Sequence, residues 1–155
     1  MQGNDRVLTM LNEQLADELT SINQYMVHAE MCDDWGYGKL DEAIEARAIT
    51  EMKHAEKLIA RILFLEGRPI VSTLNPMHIG AEVADQLKND WQAERDAIKA
   101  YNDGIRLAAE VGDNGTHELL KSILVDEEDH LDWIEAQQDQ IAQMRIENYL
   151  ALQID

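Results

Sequence analysis

The amino-acid sequence predicts an all-α fold: an antiparallel four-helix bundle with one long crossover loop and a short fifth C-terminal helix. Three observations indicate this fold class. Apolar residues recur every three or four positions along four long stretches, strand-like alternation is missing, and both prolines, Pro69 and Pro76, lie in one stretch that breaks the helical pattern. The length of 155 residues fits one domain, residues 1–155.

The helices can be placed from their turns. The expected ranges are 5–34, 40–66, 82–111, 116–144 and 147–154. Trp35–Lys39 separates the first hairpin and Gly112–Gly115 the second, with Thr116 as the expected N-cap of the fourth helix. The crossover loop, 67–81, connects the two hairpins, and each long helix reaches about 40 Å. The fifth helix is too short to fold alone, so we expect it to pack against a neighbour or a symmetry mate.

The charge and the cysteine count exclude several function classes. Thirteen basic and thirty-one acidic residues give a net charge of −18, which repels nucleic acids and anionic membranes but attracts cations. No signal-peptide pattern and no run of eighteen apolar residues occurs, so we expect a cytoplasmic protein without a membrane partner. Cys32 is the only cysteine, which leaves oxygen and nitrogen as metal ligands.

A glutamate interrupts the inward-facing apolar stripe of each long helix, near the middle of that helix. The four are Glu18, Glu51, Glu94 and Glu127. Buried carboxylates cost several kcal/mol each and repel one another, so a chain tolerates four only with compensating cations. Antiparallel packing brings all four to one level of the bundle. The pattern therefore predicts a cation site in the core.

Two of these glutamates begin an ExxH pair, Glu51 with His54 and Glu127 with His130. The i,i+3 step places carboxylate and imidazole on one helix face, where both reach one ion. Carboxylates with imidazole and no thiolate suit iron or manganese, and we expect iron. This constellation is typical of ferritin-like di-metal proteins. The remaining histidines fit surface or packing positions and receive no role; these are His28, His78 and His117.

Several motifs resemble those of the bacterioferritins, the haem-containing branch of the ferritin superfamily. They are EMKHAE at 51–56, DEEDH at 126–130, RILFLEG at 61–67, NQY at 23–25 and NYL at 148–150. The resemblance covers essentially the whole chain. It implies iron storage in a hollow homo-oligomeric shell of twenty-four subunits, alone or mixed with a second subunit type. It further implies a ferroxidase that uses dioxygen or peroxide, and an iron-sulfur ferredoxin-type reductant for iron release.

The resemblance also implies individual roles for the ligands of two iron ions per subunit. Glu18 and Glu94 would be terminal carboxylates, and Glu51 and Glu127 would bridge the two irons. His54 and His130 would supply one nitrogen each.

Two further residues acquire roles only through the resemblance. Met52 would be the axial ligand of a b-type haem shared between two subunits, although helical spacing alone favours interface packing for this residue. Tyr25 would be either a nearby electron donor or a packed aromatic side chain.

One departure from the family pattern concerns the inner wall of the shell. Some bacterioferritins bind another iron there through a histidine and an acid, and the matching positions in this chain are Ala46 and Thr50. Neither side chain can replace that histidine and acid. This favours a mechanism in which iron passes through the di-iron centre into the shell over one in which the two irons remain as a permanent cofactor.

Other classes remain as alternatives or are excluded. A haem-free ferritin or a di-iron oxidase or oxygenase would share the ligands. A DNA-protecting mini-ferritin builds its site between subunits, and a rubrerythrin-like peroxidase needs several cysteines. A helical assembly protein or a haem-carrying electron shuttle leaves four buried glutamates unexplained.

Overall fold

The computed structural model describes residues 1–155 and contains five α-helices and no strand. The helices are α1 (Asp5–Asp34), α2 (Gly38–Phe64), α3 (Val83–Glu110), α4 (Asn114–Met144) and α5 (Ile146–Ala151). The predicted fold class, a four-helix bundle with a short C-terminal helix, is confirmed. No helix combines the length and the apolar character needed to cross a bilayer.

Two hairpins, α1 with α2 and α3 with α4, form the bundle, and α1 also packs on α3 and α2 on α4. Helices α2 and α4 are antiparallel, because Arg47 of α2 pairs with Glu127 while Arg61, further along α2, pairs with Asp113 near the start of α4. This arrangement brings the middles of all four helices to one level.

The crossover loop follows α1 along the bundle. Four of its backbone N–H groups donate to side chains that succeed one another on α1. The pairs are Ile70 with Asn12, Asn75 with Thr20, His78 with Gln24, and Gly80 with His28. The loop therefore returns the chain to the end of the bundle where α2 begins, and α3 runs parallel to α2.

The end of α2 lies two residues before the expected one. Glu66 adopts the left-handed conformation, with φ of 62°, and its N–H and that of Gly67 bond to the last carbonyls of the helix, those of Leu63 and Ile62. Glycine would be the usual residue with this φ. Gly67 is needed for another reason, because a Cβ there would lie 2.4 Å from a methyl carbon of Leu8.

The start of α4 also differs from the expectation. Asp113, not Thr116, is the N-cap, and its side chain accepts a hydrogen bond of 3.0 Å from the Thr116 N–H. Arg61 of α2 donates to the side chains of both residues, which joins the two helix ends.

The short helix α5 packs on its own chain. Tyr149 is fully buried, and its hydroxyl donates to Gln137 of α4 over 2.7 Å. A single anchored aromatic ring thus holds a helix that is too short to be stable alone.

The apolar core is divided into two clusters at opposite halves of the bundle. One contains Val7, Leu11, Leu15, Ala55, Leu58, Ile62, Leu65, Tyr101, Leu120 and Ile123. The other contains Tyr25, Ala29, Cys32, Leu40, Ile44, Ala48, Val83, Leu87, Ile134 and Tyr149. Buried polar side chains fill the layer between the two clusters, and this layer is the candidate site.

Candidate metal centre

The six predicted ligands come together in the layer between the apolar clusters. They are Glu18, Glu51, His54, Glu94, Glu127 and His130, and all six are buried. One glutamate comes from each long helix, as the interrupted apolar stripes predict. Position along the four helices, rather than proximity in sequence, assembles the cluster.

One half of the cluster is formed by Glu18, Glu51, His54 and Glu127, whose potential ligand atoms all lie within 4.8 Å of one another. His54 directs Nδ1 towards the three carboxylates, at 3.4 to 3.7 Å. Its Nε2 lies 2.7 Å from a carboxylate oxygen of Asp126. A carboxylate on the outer ring nitrogen orients the imidazole so that the inner nitrogen faces a metal.

The other half contains Glu94 and His130, whose Nδ1 lies 2.8 Å from Glu94 Oε1. It also contains Arg47, which lies one helical turn before Glu51 on the same face of α2. Its Nη2 lies 2.5 Å from Glu51, 2.8 Å from Glu127 and 3.7 Å from Glu94. A fifth charged residue one turn before Glu51 was the available signal in the sequence.

Glu18 and Glu94 each accept a hydrogen bond from a buried tyrosine. The Tyr25 hydroxyl donates to Glu94, and the Tyr101 hydroxyl donates to Glu18. Tyr25 was a candidate from the sequence, whereas no motif singled out Tyr101. These hydroxyls fix one oxygen of each carboxylate and leave the other oxygen directed into the cluster.

Five buried ligand atoms in the cluster make no hydrogen bond, and Arg47 Nε makes none either. The five are Glu18 Oε2, Glu94 Oε2, Glu127 Oε1, His54 Nδ1 and Glu51 Oε1, of which the last is ion-paired with Arg47. Buried polar groups in folded proteins are nearly always hydrogen-bonded, because an unpartnered one costs about 1–3 kcal/mol. Carboxylate oxygens and an imidazole nitrogen that converge without partners form the donor set of a divalent metal.

Two of the four carboxyls bind a proton more tightly than a free glutamate. Burial raises the pKa of Glu18 and of Glu127 well above its usual range, and the charge of nearby Glu51 raises both further. Burial acts in the same direction on Glu51, but a hydrogen bond with Glu18 and the charge of Arg47 lower its pKa overall. Without metal, protonated and ionised glutamates therefore coexist in the cluster.

Glu94 and His54 are held in their charged forms. Burial acts to raise the pKa of Glu94, but the adjacent Glu127 carboxyl and the contact with His130 outweigh it and lower this pKa to about 2. Burial acts to lower the pKa of His54, but the carboxylates of Glu127, Glu18 and Glu51 around its Nδ1 raise it to about 12. The protein thus supplies its own positive charge to the cluster when no metal is bound.

The other residues singled out in the sequence lie apart from the cluster. The Met52 side chain is half-exposed, and the Thr50 hydroxyl donates to the Ala46 carbonyl of its own helix. His78 is exposed and His117 partly buried. His28 is fully buried, in agreement with a packing role, and belongs to a separate network.

A model of the ferritin-like domain family matches residues 8–144 of the chain, which include the whole cluster. A bacterioferritin of Rhodobacter capsulatus is 42% identical over 137 residues, 88% of this chain and 85% of the relative. Bacterioferritins of Brucella melitensis biotype 1 and Mycolicibacterium paratuberculosis are 38% and 39% identical, over 96% and 97% of this chain and 92% and 95% of theirs.

The chain belongs to the bacterioferritin family. Identity of about two residues in five extends over nearly the full length of both partners, so the predicted resemblance is confirmed. The short helix α5 lies beyond the residues matched to the domain family, whereas Met52 lies within them.

Proposed function

We propose that this member of the bacterioferritin family stores iron and oxidises Fe(II) in the buried carboxylate–histidine cluster. The observation that supports this most directly is the convergence of buried carboxylate oxygens and an imidazole nitrogen that make no hydrogen bond. Organic substrates receive no such support, because four surface pockets of about 450 to 770 Å³ contain none of the six ligands, and the pocket that His130 lines has only about 300 Å³.

In this proposal two ferrous ions are the substrates of each subunit. Glu18 and His54 bind one ion, and Glu94 and His130 bind the other. Glu51 and Glu127 bridge the pair, which their contacts with both halves of the cluster support.

The reaction balances as a two-electron oxidation. Each Fe(II) gives up one electron, and the two electrons with two protons reduce dioxygen to peroxide or peroxide to water. The ionised carboxylates stabilise the increase in metal charge. The tyrosine hydroxyls on Glu18 and Glu94 keep the two terminal carboxylates oriented during this change. Tyr25 lies edge-on to the His130 ring, at 5.3 Å between ring centres, a position suited to electron donation.

The ferric product would then leave the cluster for the interior of a shell. Ala46 and Thr50 offer no further metal ligand on α2, so we propose that the cluster is an iron gate and empties after oxidation. We propose a homo-oligomeric shell of twenty-four subunits in the cytoplasm, alone or with a second subunit type.

A haem at a two-fold subunit interface is a separate part of the proposal. Met52 and Ile49, one turn apart on α2, are about half-exposed, and so is Met26 on the neighbouring helix α1, so a soft thioether is available on a partly apolar surface. Met52 would bind a b-type haem there together with its counterpart from a second subunit. The haem would supply electrons from an iron-sulfur ferredoxin-type reductant for iron release.

Two measurements on the purified protein test the proposal. Stopped-flow mixing of the metal-free protein with Fe(II) and dioxygen should show rapid oxidation at two ions per subunit. Sedimentation should give a particle of shell size, and absorption should show a Soret band on it. A monomeric protein that oxidises Fe(II) no faster than buffer would refute iron storage.

Met52→Leu tests the haem separately. Leucine keeps the size and apolarity of the thioether, so assembly and Fe(II) oxidation should stay near wild type while haem is lost. Reductive iron release should slow markedly. Ile49→Leu, a change on the same face, should retain haem. A bis-thioether haem spectrum in Met52→Leu would contradict the assignment.

A further inference from the structure

Arg47 occupies one half of the cluster in the place of a metal ion. The side chain is buried, and its Nη2 contacts Glu51, Glu94 and Glu127, the carboxylates assigned above to the second ion. Its Nη1 donates to the Asp126 carbonyl over 3.0 Å, which anchors the guanidinium to α4. Three carboxylates around one cationic nitrogen resemble the arrangement around a bound cation.

The first half of the cluster has no such occupant. The ligand atoms of Glu18, Glu51, His54 and Glu127 face one another without an arginine or lysine between them. The two metal positions of this chain are therefore unequal before any metal arrives. One position is surrounded by ligand atoms alone, including the charged His54, whereas the other already contains an arginine guanidinium between its carboxylates.

An ion at the second position would have to displace the guanidinium. Arg47 Nη2 lies 2.5 Å from Glu51 and 2.8 Å from Glu127. A metal bound to the same oxygens would lie at about 2.0–2.2 Å from them, in the space that this nitrogen occupies. A divalent ion and a guanidinium on shared carboxylates repel each other strongly in a buried site. Both cannot bind in the positions that Arg47 now contacts.

The structure also contains a place for the displaced side chain. A surface pocket of about 300 Å³ between α2 and α4 is lined by Arg47 itself and by Ala46, Thr50, Asp126 and Asp129. The small side chains of Ala46 and Thr50 leave room, and two carboxylates are available to pair with the guanidinium. A rotation of the side chain, without movement of the helix, would carry it there.

We propose that Arg47 is a tethered counter-cation that fills the second metal position until an ion displaces it into the pocket between α2 and α4. Two ions then bind in a fixed order and with different affinities, first beside Glu18 and His54 and second beside Glu94 and His130. This inference rests on the proposed di-metal function of the same cluster.

Anaerobic titration of the assembled, metal-free protein with Co(II) tests the inference without any turnover. Calorimetry and the visible ligand-field spectrum of Co(II) report each binding step. In wild type, the second ion should bind at least about tenfold more weakly than the first. This ratio is expected if the conformation in which Arg47 has left the second position makes up no more than about 10% of the metal-free protein. In Arg47→Gln the second ion should bind at least about tenfold more tightly than in wild type, with the first affinity little changed.

Two further variants make the result specific. Arg61→Gln removes another partly buried, ion-paired arginine at the end of the bundle and changes the net charge equally, so it should alter neither affinity. Arg47→Met keeps the length of the stem and replaces Arg47→Gln if that variant fails to fold. Wild-type crystals soaked with one Co(II) per subunit should show metal only beside Glu18, with Arg47 in place.

The outcomes separate this inference from the function on which it rests. Two equal affinities in wild type, or an unchanged second affinity in both Arg47 variants, overturn the role of Arg47 and leave the di-metal centre intact. Equal tightening of both ions in Arg47→Gln also overturns it, because a general charge effect would then suffice. A wild-type protein that binds no Co(II) overturns the di-metal function together with the inference.

Discussion

Two buried polar clusters of this bundle contain an acid beside a histidine, but only one resembles a metal site. In the cluster of Glu18, Glu51, Glu94 and Glu127, five buried atoms make no hydrogen bond. In the second, the Asp90 network, Asp90 accepts from Gln24 at 2.9 Å and pairs with His28 Nδ1 at 2.9 to 3.1 Å.

The Asp90 network satisfies its polar atoms internally. His28 Nε2 accepts the Gly80 N–H, which places the ring proton on Nδ1, towards Asp90. The Gln24 carbonyl accepts the N–H of His78. Burial of an acid beside a histidine is thus insufficient evidence for a metal. The informative observation is a set of ligand atoms that the protein itself leaves without partners.

The largest expected difference between the two clusters is in chemistry. Glu127→Ala removes a carboxylate shared by both metal positions, so the rate of ferrous oxidation should fall by roughly 100-fold or more. Loss of a group that only hydrogen-bonds to a metal ligand usually costs about 10- to 100-fold, and loss of the ligand itself should cost more. Stopped-flow measurement under dioxygen gives the rate. Glu128→Ala, an exposed neighbour, is the matched control and should oxidise Fe(II) normally. Oxidation near the wild-type rate in Glu127→Ala would remove the distinction between the clusters.

In the Asp90 network the expected difference is in stability. Asp90→Ala leaves the buried donors of Gln24 and His28 without an acceptor, so the free energy of unfolding should fall by about 2 kcal/mol. Denaturant titration of the metal-free protein measures this. Co(II) stoichiometry should stay unchanged in the folded variant. Loss of metal binding without loss of stability would mean that the Asp90 network belongs to the metal centre.

A smaller effect concerns pH. The pKa of His54 rises from 6.5 to about 12 on folding, so its stabilising contribution is complete below pH 6.5 and declines as pH rises towards 12. The raised pKa values of Glu18 and Glu127 act in the same direction, because the folded state again binds more protons than the unfolded state.

The free energy of unfolding of the metal-free protein should therefore fall between pH 6.5 and 9, by up to about 1.4 kcal/mol per pH unit from His54 alone. Denaturant titrations in the presence of a chelator measure the slope. His54→Gln should flatten it, whereas His117→Gln, at the surface end of α4, should not. Saturating Zn(II) should reverse the slope, since metal binds the deprotonated ligands. A flat profile without metal would contradict the charged state of His54.

The sequence predicted the fold and the six converging residues because both depend on helical periodicity. Periodicity identifies the face on which a side chain lies, and Glu18 or His130 on an apolar face is conspicuous. It does not identify which atoms pair across helices. Arg47 and Tyr101 lay on the correct faces, yet their contacts with the glutamates required the register between helices.

Helix ends were less predictable, for a local reason. Thr116 has the chemistry of an N-cap, but Asp113 has it too and also binds Arg61 from α2. Gly67, the first residue of the expected crossover loop, has the chemistry of a left-handed residue after α2, but Glu66 adopts that conformation, and Gly67 is glycine because Leu8 approaches it closely. In both cases a contact with another helix decided between two residues that local chemistry allowed.

The crossover loop has a consequence for the spacing of the whole bundle. Its anchors on α1, from Asn12 to His28, span roughly 24 Å of helix, and the loop covers that distance with the segment from Ile70 to Gly80. Ten fully extended residues reach about 33 Å, and deleting three would reduce that reach to about 23 Å, no more than the distance to be covered. The length of the loop thus limits the axial position of α3 relative to α1. The same limit applies to the level of the bundle at which Glu94 lies relative to Glu18.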